Sequence, residues 1–299
     1  MVENKRKSFI EQTLLNAYFV VCCMFFVIPF LLVLTTSFTS DAEIRVQGYS
    51  LFPKMWSTES YDALLRIPQR IINAYGVTAF TSIIGSFMST LTMGLVAYPL
   101  SRRDFAYRKP ITMFIFFTML FNGGLIPSYI VNTQILKLND SVWIYLLLPL
   151  ANAFHIIIMR TFFQQIPGEL VESAKIDGAG ELRIFFTIIA PLSKPVIATI
   201  SLFSLLNRWN EWFITLVYIL DQNLFTLQYL LQQILQQAEF VRSFILNFPG
   251  ASGQINLSQV PTLSMRYAMT VMAAGPMLVI FPFFQKYFTR GLTVGAVKG

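Results

Sequence analysis

The run from Leu14 to Phe38 is apolar along nearly its whole length. A helix over it, rising 1.5 Å per residue, is long enough to cross about 30 Å of hydrocarbon. It is too long for a signal-peptide core, and no small-residue cleavage site follows it, so it should be retained. Pro29 predicts a kink inside it. Five further stretches of the same kind follow, at about 71–100, 111–135, 142–163, 195–220 and 267–288. The pattern predicts one all-α integral membrane domain over 1–299, with six transmembrane helices and no separate soluble domain. Composition agrees: 55% of residues are hydrophobic and 12% charged, about half the charged share of a soluble domain.

The spans differ in character. The second carries Thr81, Ser82, Gly85, Ser86 and Gly94. Small residues let helices approach closely in lipid, so this span should pack inside the bundle. The third is broken by Asn122-Gly123-Gly124 and Pro127, and irregular backbone at that depth is tolerated only against protein or water. Residues 39–70 read as a polar loop with one interfacial helix. The 221–266 stretch reads as a long external loop. Within it, Leu227, Leu230, Leu231, Ile234, Leu235 and Ala238 have helical spacing, with glutamines opposite. That helix either covers the bundle mouth or receives a substrate-delivery protein, and both readings stay open. The NFPGASGQINLS string after it reads as a flexible tip.

Lys and Arg set the orientation. Fourteen of them, including Lys5, Arg102, Arg103, Arg108, Lys175 and Lys286, fall on the side of the termini; seven, including Arg45, Arg70 and Arg266, fall on the other. The richer side is cytoplasmic by the positive-inside rule. Both termini and the 165–195 loop then face the cytoplasm, in a multi-pass protein of the cell membrane. The formal charge of +7 is thus orientation rather than a nucleic-acid footprint. Cys22 and Cys23 are adjacent in an apolar run and form no disulfide framework. The chain has no GxxxxGK[ST], HExxH or GxSxG string, and no His/Cys cluster with metal spacing. His155, the one histidine, reads as a packed residue.

The break between the fourth and fifth spans is QIPGELVESAKIDGAGELRIFFTIIAPLSKP, residues 165–195. Pro167-Gly168 ends the preceding span. Glu169 and Glu172 suit the start of a short helix whose apolar face is Leu170, Val171 and Ala174. Asp177-Gly178-Ala179-Gly180 is turn chemistry. A second short helix carries Leu182, Phe185, Phe186 and Ile189, with Pro191 and Pro195 expected to stop it. Glu172-Ser173-Ala174, then Ile176-Asp177-Gly178-Ala179, then Ile188 to Leu192 and Pro195 resemble the EAA loop of ABC-importer permeases. The IDGA and PLSKP strings are similar to the maltose-type, MalG-like carbohydrate-uptake branch. Ser173 in place of the usual Ala, and Ala190 in place of a common Leu, are small departures. The tail from Phe284 to Thr293 and from Gly295 to Gly299 also resembles that family.

The resemblance implies the type I ABC-importer permease fold and a role for Glu172, Ser173, Ala174, Asp177, Gly178 and Pro191 in coupling to an ATPase. It also implies partners: a second related permease, two cytoplasmic ATPase subunits, an extracellular solute-binding protein, and a carbohydrate substrate, here an oligosaccharide. This chain would bind no cofactor and be no enzyme, ATP and Mg being used by the ATPase subunits. In the fifth span, Trp209, Asn210, Glu211 and Trp212 combine aromatic faces with amide and carboxylate groups, which suits sugars. The string also resembles the fifth-span motif of sugar permeases. Asn122 is a further candidate for the same pathway. Arg208 and Glu211, three apart, can meet on one helix face. A stand-alone secondary transporter or channel is the alternative function, and it would call for more intramembrane carboxylates than Glu211 alone.

Overall fold

The computed structural model describes residues 2–66, 68–247 and 262–296. Its helices are α1 (Val2–Ser37), α2 (Asp41–Gln47), α3 (Glu59–Leu64), α4 (Pro68–Ser101), α5 (Arg108–Leu120) and α6 (Leu125–Ile130). A wider π turn over Val131–Ile135 continues α6, and α7 (Trp143–Leu147), α8 (Ala153–Phe163) and α9 (Gly168–Ile176) follow. Next come α10 (Glu181–Ile184), a second π turn (Phe185–Ile189), α11 (Ala190–Leu192), α12 (Lys194–Trp209) and α13 (Phe213–Tyr218). The last two are α14 (Leu227–Asn247) and α15 (Leu263–Ala296). Among the described residues the one β pairing is an isolated bridge between Thr39 and Trp56. The 248–261 segment, with most of the expected tip, and residues 297–299 of the tail lie outside the described residues, as do the side chains of 2–10, 238, 241, 242, 244–247 and 284–296.

Glu11–Ser37, Pro68–Ser101 and Leu263–Phe283 are long and apolar enough to cross a bilayer. Two bent pairs reach that length together: Arg108–Leu120 with Leu125–Ile135, bent by 113°, and Glu181–Leu192 with Lys194–Trp209, bent by 88°. The third span is thus broken where Asn122-Gly123-Gly124 predicts. Gly124 has φ +87°, a conformation L side chains rarely adopt, and Asn122 Oδ1 accepts from its N–H at 2.8 Å. The fourth and fifth spans need correction. The 142–163 stretch is α7 and α8, not one helix, because Pro149 has no N–H to continue α7. Asn152 then starts α8, its side chain accepting from His155 N at 3.1 Å. The 195–220 stretch breaks after Trp209, and Glu211 Oε1 accepts from Ile214 N at 2.7 Å to start α13.

Two compact units partition the chain: Met1–Pro68 with Leu231–Gly275, and Gln69–Leu230 with Pro276–Gly299. In the first, two short helices replace the single one expected in the loop. Ser40 caps α2, and the Glu43 carboxylate accepts from Lys54 N and Met55 N, each at 2.7 Å. Asp41 Oδ1 holds the start of α15, accepting from Ser264 N at 2.9 Å and from its hydroxyl at 2.8 Å.

The second unit is built on α4. Its small residues form a buried face, as their pattern predicts: Thr78, Thr81, Ser82, Gly85, Ser86, Ser89 and Gly94 are all buried. At Gly94 an added Cβ would lie 3.2 Å from both Met159 and Phe185, so α8 and the loop after α10 come close to the α4 backbone there. Around this contact Ala97, Ile156, Phe163, Val171, Ile184 and Ile200 complete one apolar cluster.

Candidate functional site

Two constellations in the second unit have functional geometry. The first is the loop over α9 to α11. Val171 is 2% exposed and Ala174 packs beside it on the cluster, which fixes one face of α9. The helix ends in a Schellman motif: Gly178 N donates to Lys175 O at 3.0 Å and Ala179 N to Ala174 O at 2.9 Å. That motif needs a left-handed residue, and Gly178 supplies it with φ +78°. Ala174 and Ala179 both pack on the cluster, the apolar contact that accompanies the motif. So the string Ala174 to Ala179 encodes a sharp helix stop. Pro191 does not end the second helix. The π turn precedes it, Pro191 occupies the first turn of α11, and the stop falls at Ser193. A widened turn ahead of Pro191 accommodates the donor that the ring lacks.

Charges tie the loop together. Lys175 Nζ lies 2.7 Å from Glu181 Oε1 and 3.2 Å from Asp104 Oδ2. Tyr98 donates to Glu181 Oε2 at 2.6 Å, and Arg102 pairs with Asp104 at 3.1 Å. Lys175 does not pair with Glu172, one turn before it, because Glu181 and Asp104 occupy the ammonium. The Arg102 hydrogen bond, with Lys175 second, lowers the Asp104 carboxyl to about 2. Lys175 lowers that of Glu181, and Glu181 in turn raises Lys175. The carboxylates therefore contribute above their ordinary range near pH 4, and lose that contribution as pH falls toward their lowered values. Lys175 contributes below its ordinary value of about 10.4 and loses this as pH rises past it. All three groups are solvent-exposed, so each pair is worth under about 1 kcal/mol. Lys175→Met should accordingly increase limited proteolysis at the Asp177–Gly180 turn at pH 7 and flatten the rise in cleavage expected of wild type on acidification below pH 4. Equal cleavage of both proteins across that range would refute the bridge.

The outer side of this loop is unpartnered. Glu172, Ser173, Asp177 and Gly178 are exposed, and Glu172 makes no ion pair among the described residues. Beside them stand largely bare apolar groups: Ile176 is 87% exposed and Leu182 66%.

The second constellation surrounds Arg208, which is 4% exposed. The expected pair with Glu211 does not form. Arg208 instead donates to Tyr145 O, to Leu146 O at 3.3 Å, to Pro149 O at 3.0 Å and to Ser89 Oγ at 2.6 Å. The Tyr145 carbonyl would receive the N–H of residue 149 in a continuous helix, and residue 149 is proline. The guanidinium replaces that missing donor and places positive charge at the carboxyl end of α7, where the helix dipole favours it. Sequence reasoning missed this role. Its signal was a proline inside the expected fourth span together with an arginine inside the fifth.

Four of the other pathway candidates, Trp209 to Trp212, directly follow this anchor in the chain. Asn210 is exposed and accepts from Gln228 Nε2 at 3.1 Å. Glu211 caps α13, and its carbonyl accepts from Thr226 Oγ1 at 2.7 Å. Trp212 is half-buried, edge-on to Phe213, and Trp209 is buried behind them. A small cavity of about 40 Å³ lies among Thr81, Tyr145, Asn207, Arg208 and Glu211. Asn122 belongs to the break between α5 and α6, and none of the hydrogen bonds above joins it to this group. His155 stacks on Phe203 at 6.0 Å.

A helical, apolar chain with broken spans and an exposed, rigidly stopped loop is an integral membrane transport subunit. The chain belongs to the family of binding-protein-dependent transport system inner membrane components, whose pattern matches residues 90–294. Protein LplC of Bacillus subtilis (strain 168) is 37% identical over 275 residues, covering 91% of this chain and 90% of the relative. The polygalacturonan/rhamnogalacturonan transport system permease protein YtcP of the same organism is 36% identical over 293 residues, covering 98% and 100%. The fold is also similar to a crystal structure of a bacterial ABC transporter involved in the import of the acidic polysaccharide alginate. There the TM-score is 0.76 at 28% identity, covering 95% of this chain and 97% of that one. The architecture is that of a type I ABC-importer permease.

Proposed function

We propose that this chain is one permease subunit of an ATP-driven importer for an oligosaccharide, and that the α9–α11 loop is where an ATPase subunit docks. The exposed face around Glu172 and Ile176 carries this reading, because bare apolar groups bordered by unpaired charge on a rigid element have the character of an interface, an apolar centre with a polar rim. The relatives named for carbohydrate transport support the substrate class. Residues 1–299 then act as a single permease domain. It works beside a second permease, two cytoplasmic ATPase subunits that use ATP and Mg, and an extracellular solute-binding protein. The chain itself contributes no catalytic residue and binds no cofactor. Extraction in mild detergent tests the assembly: ATPase and second-permease subunits should copurify. A lone chain that transports in proteoliposomes would favour a secondary transporter or channel.

In this reading both termini and the loop face the cytoplasm. A reporter at Gly180 should then read cytoplasmic and one at Ser252 external, and a cytoplasmic signal at Ser252 would overturn the topology. Asn210, Glu211, Trp212 and Asn122 line the sugar path, with Trp209 supporting them from behind. Asn210→Ala should lower uptake several-fold, or shift preference within a panel of neutral and acidic oligosaccharides, while the complex still assembles. Unchanged uptake across the panel would remove Asn210 from the path.

A further inference from the structure

We propose that the junction of α4, α5 and α9 holds the headgroup of an anionic phospholipid. A polar cavity of about 730 Å³ lies there, walled by the end of α4, the start of α5, the end of α8 and the start of α9. Arg102, Arg103, Arg108 and Lys175 line it, against the carboxylates of Asp104 and Glu172. Asp104 engages Arg102 and Lys175. Arg103 and Arg108 make no ion pair among the described residues, and with Asp104 and Glu181 engaged by Arg102 and Lys175 only Glu172 stands against them, so the cavity keeps a net positive charge.

A second cavity of about 430 Å³ shares Tyr98, Arg102 and Asp104 with the first; Leu95, Pro99, Phe105 and Leu182 form its apolar wall, with Glu181 at its edge already engaged by Lys175 and Tyr98. A cationic chamber opening beside an apolar groove matches an amphiphile with an anionic head better than a free anion, which has no use for the groove. The adjoining α5 buries no residue and exposes Met113, Phe114 and Phe117, an apolar surface along which acyl chains can run. Basic pockets at the end of a span are a recognised form of lipid-headgroup site. This inference needs only the membrane family membership; because Glu172 and Lys175 of α9 also line the cavity, its test alters only Arg103 and Arg108.

The test uses the complex as extracted from its membrane, incubated with an equal mixture of phosphatidylglycerol and phosphatidylcholine and read by native mass spectrometry. Wild type should retain phosphatidylglycerol in preference to phosphatidylcholine, and excess inorganic phosphate should not displace it. Arg103→Gln with Arg108→Gln should lower that retention about thirtyfold, equivalent to about 1 kcal/mol for each arginine. Three results would overturn the proposal. The first is equal retention of the two lipids, or of phosphatidylglycerol by both proteins. The second is retained phosphate with no lipid. The third is loss of the ATPase subunit from the double variant with lipid retention unchanged, which would assign the cavity to a protein partner.

Discussion

Arg208→Met will unfold at a markedly lower temperature than wild type, because the break between α7 and α8 is closed from α12 by one side chain. Met keeps an apolar stem but ends short of the guanidinium and donates nothing. The carbonyls of Tyr145 and Leu146 are then left in a buried site without the guanidinium, at about 1–3 kcal/mol each. Pro149 O keeps a donor, since Ser89 Oγ also reaches it at 3.0 Å. Relief of the buried charge offsets part of the loss, leaving a net destabilisation of about 2–4 kcal/mol. Gly85 gives an internal check. A Cβ there would fall 2.6 Å from Arg208 Cζ, so Gly85→Ala must displace the guanidinium, and overpacking of this kind costs about 1–3 kcal/mol. In the Arg208→Met background the obstruction is gone, and Gly85→Ala should add under about 0.5 kcal/mol. Thermal unfolding of the four proteins in detergent checks both statements. Simple additivity of the two substitutions would show that Gly85 does not accommodate Arg208.

Arg208 also marks where the sequence was hardest to read. Hydropathy identifies a span by its average, and that average does not register which carbonyl has lost its donor. The 142–163 stretch therefore looked continuous despite Pro149. Arg208 was matched with Glu211, its nearest opposite charge in sequence, whereas its partners lie 59–119 residues away. Glu211 was already committed locally, as the cap of α13. Local chemistry was far more legible. Asn122-Gly123-Gly124 breaks a span as expected, the small residues of α4 face inward, and Asp177-Gly178-Ala179 forms the turn its composition predicts. In each of those cases the determining interaction lies within a few residues, or is simply the absence of side-chain bulk. Lys175 lies between the two cases, a correct loop residue with a different partner, because Glu181 and Asp104 reach it across the turn and from the α4–α5 connection.

Glu172→Ala and Gly178→Leu should each separate ATP hydrolysis from uptake while leaving the chain inserted and abundant. Within the chain Glu172 makes no ion pair among the described residues and lies beyond the first turn of α9, where Glu169 stands, so its loss should cost the fold under about 1 kcal/mol. Removing one partner of a charge pair that is desolvated on docking costs about 2–5 kcal/mol. Gly178 acts differently. An added Cβ meets nothing within 4 Å, so Leu is not excluded by bulk. The cost lies in the backbone, about 1–2 kcal/mol for holding an L residue at positive φ. The chain relieves it by opening the Schellman stop, which tilts α9 against α10 and displaces Ile176 and Leu182 on the outer face. Neither change touches the apolar cluster under Val171, so the fold persists in both. The decisive measurement takes uptake, ATPase activity and ATPase-subunit retention together for the two variants in the assembled complex. The account predicts at least about a tenfold fall in uptake per ATP hydrolysed, or release of the ATPase subunit, at normal membrane levels of this chain. Normal uptake, coupling and retention in both variants would contradict the claim that the α9–α11 loop is the ATPase docking element.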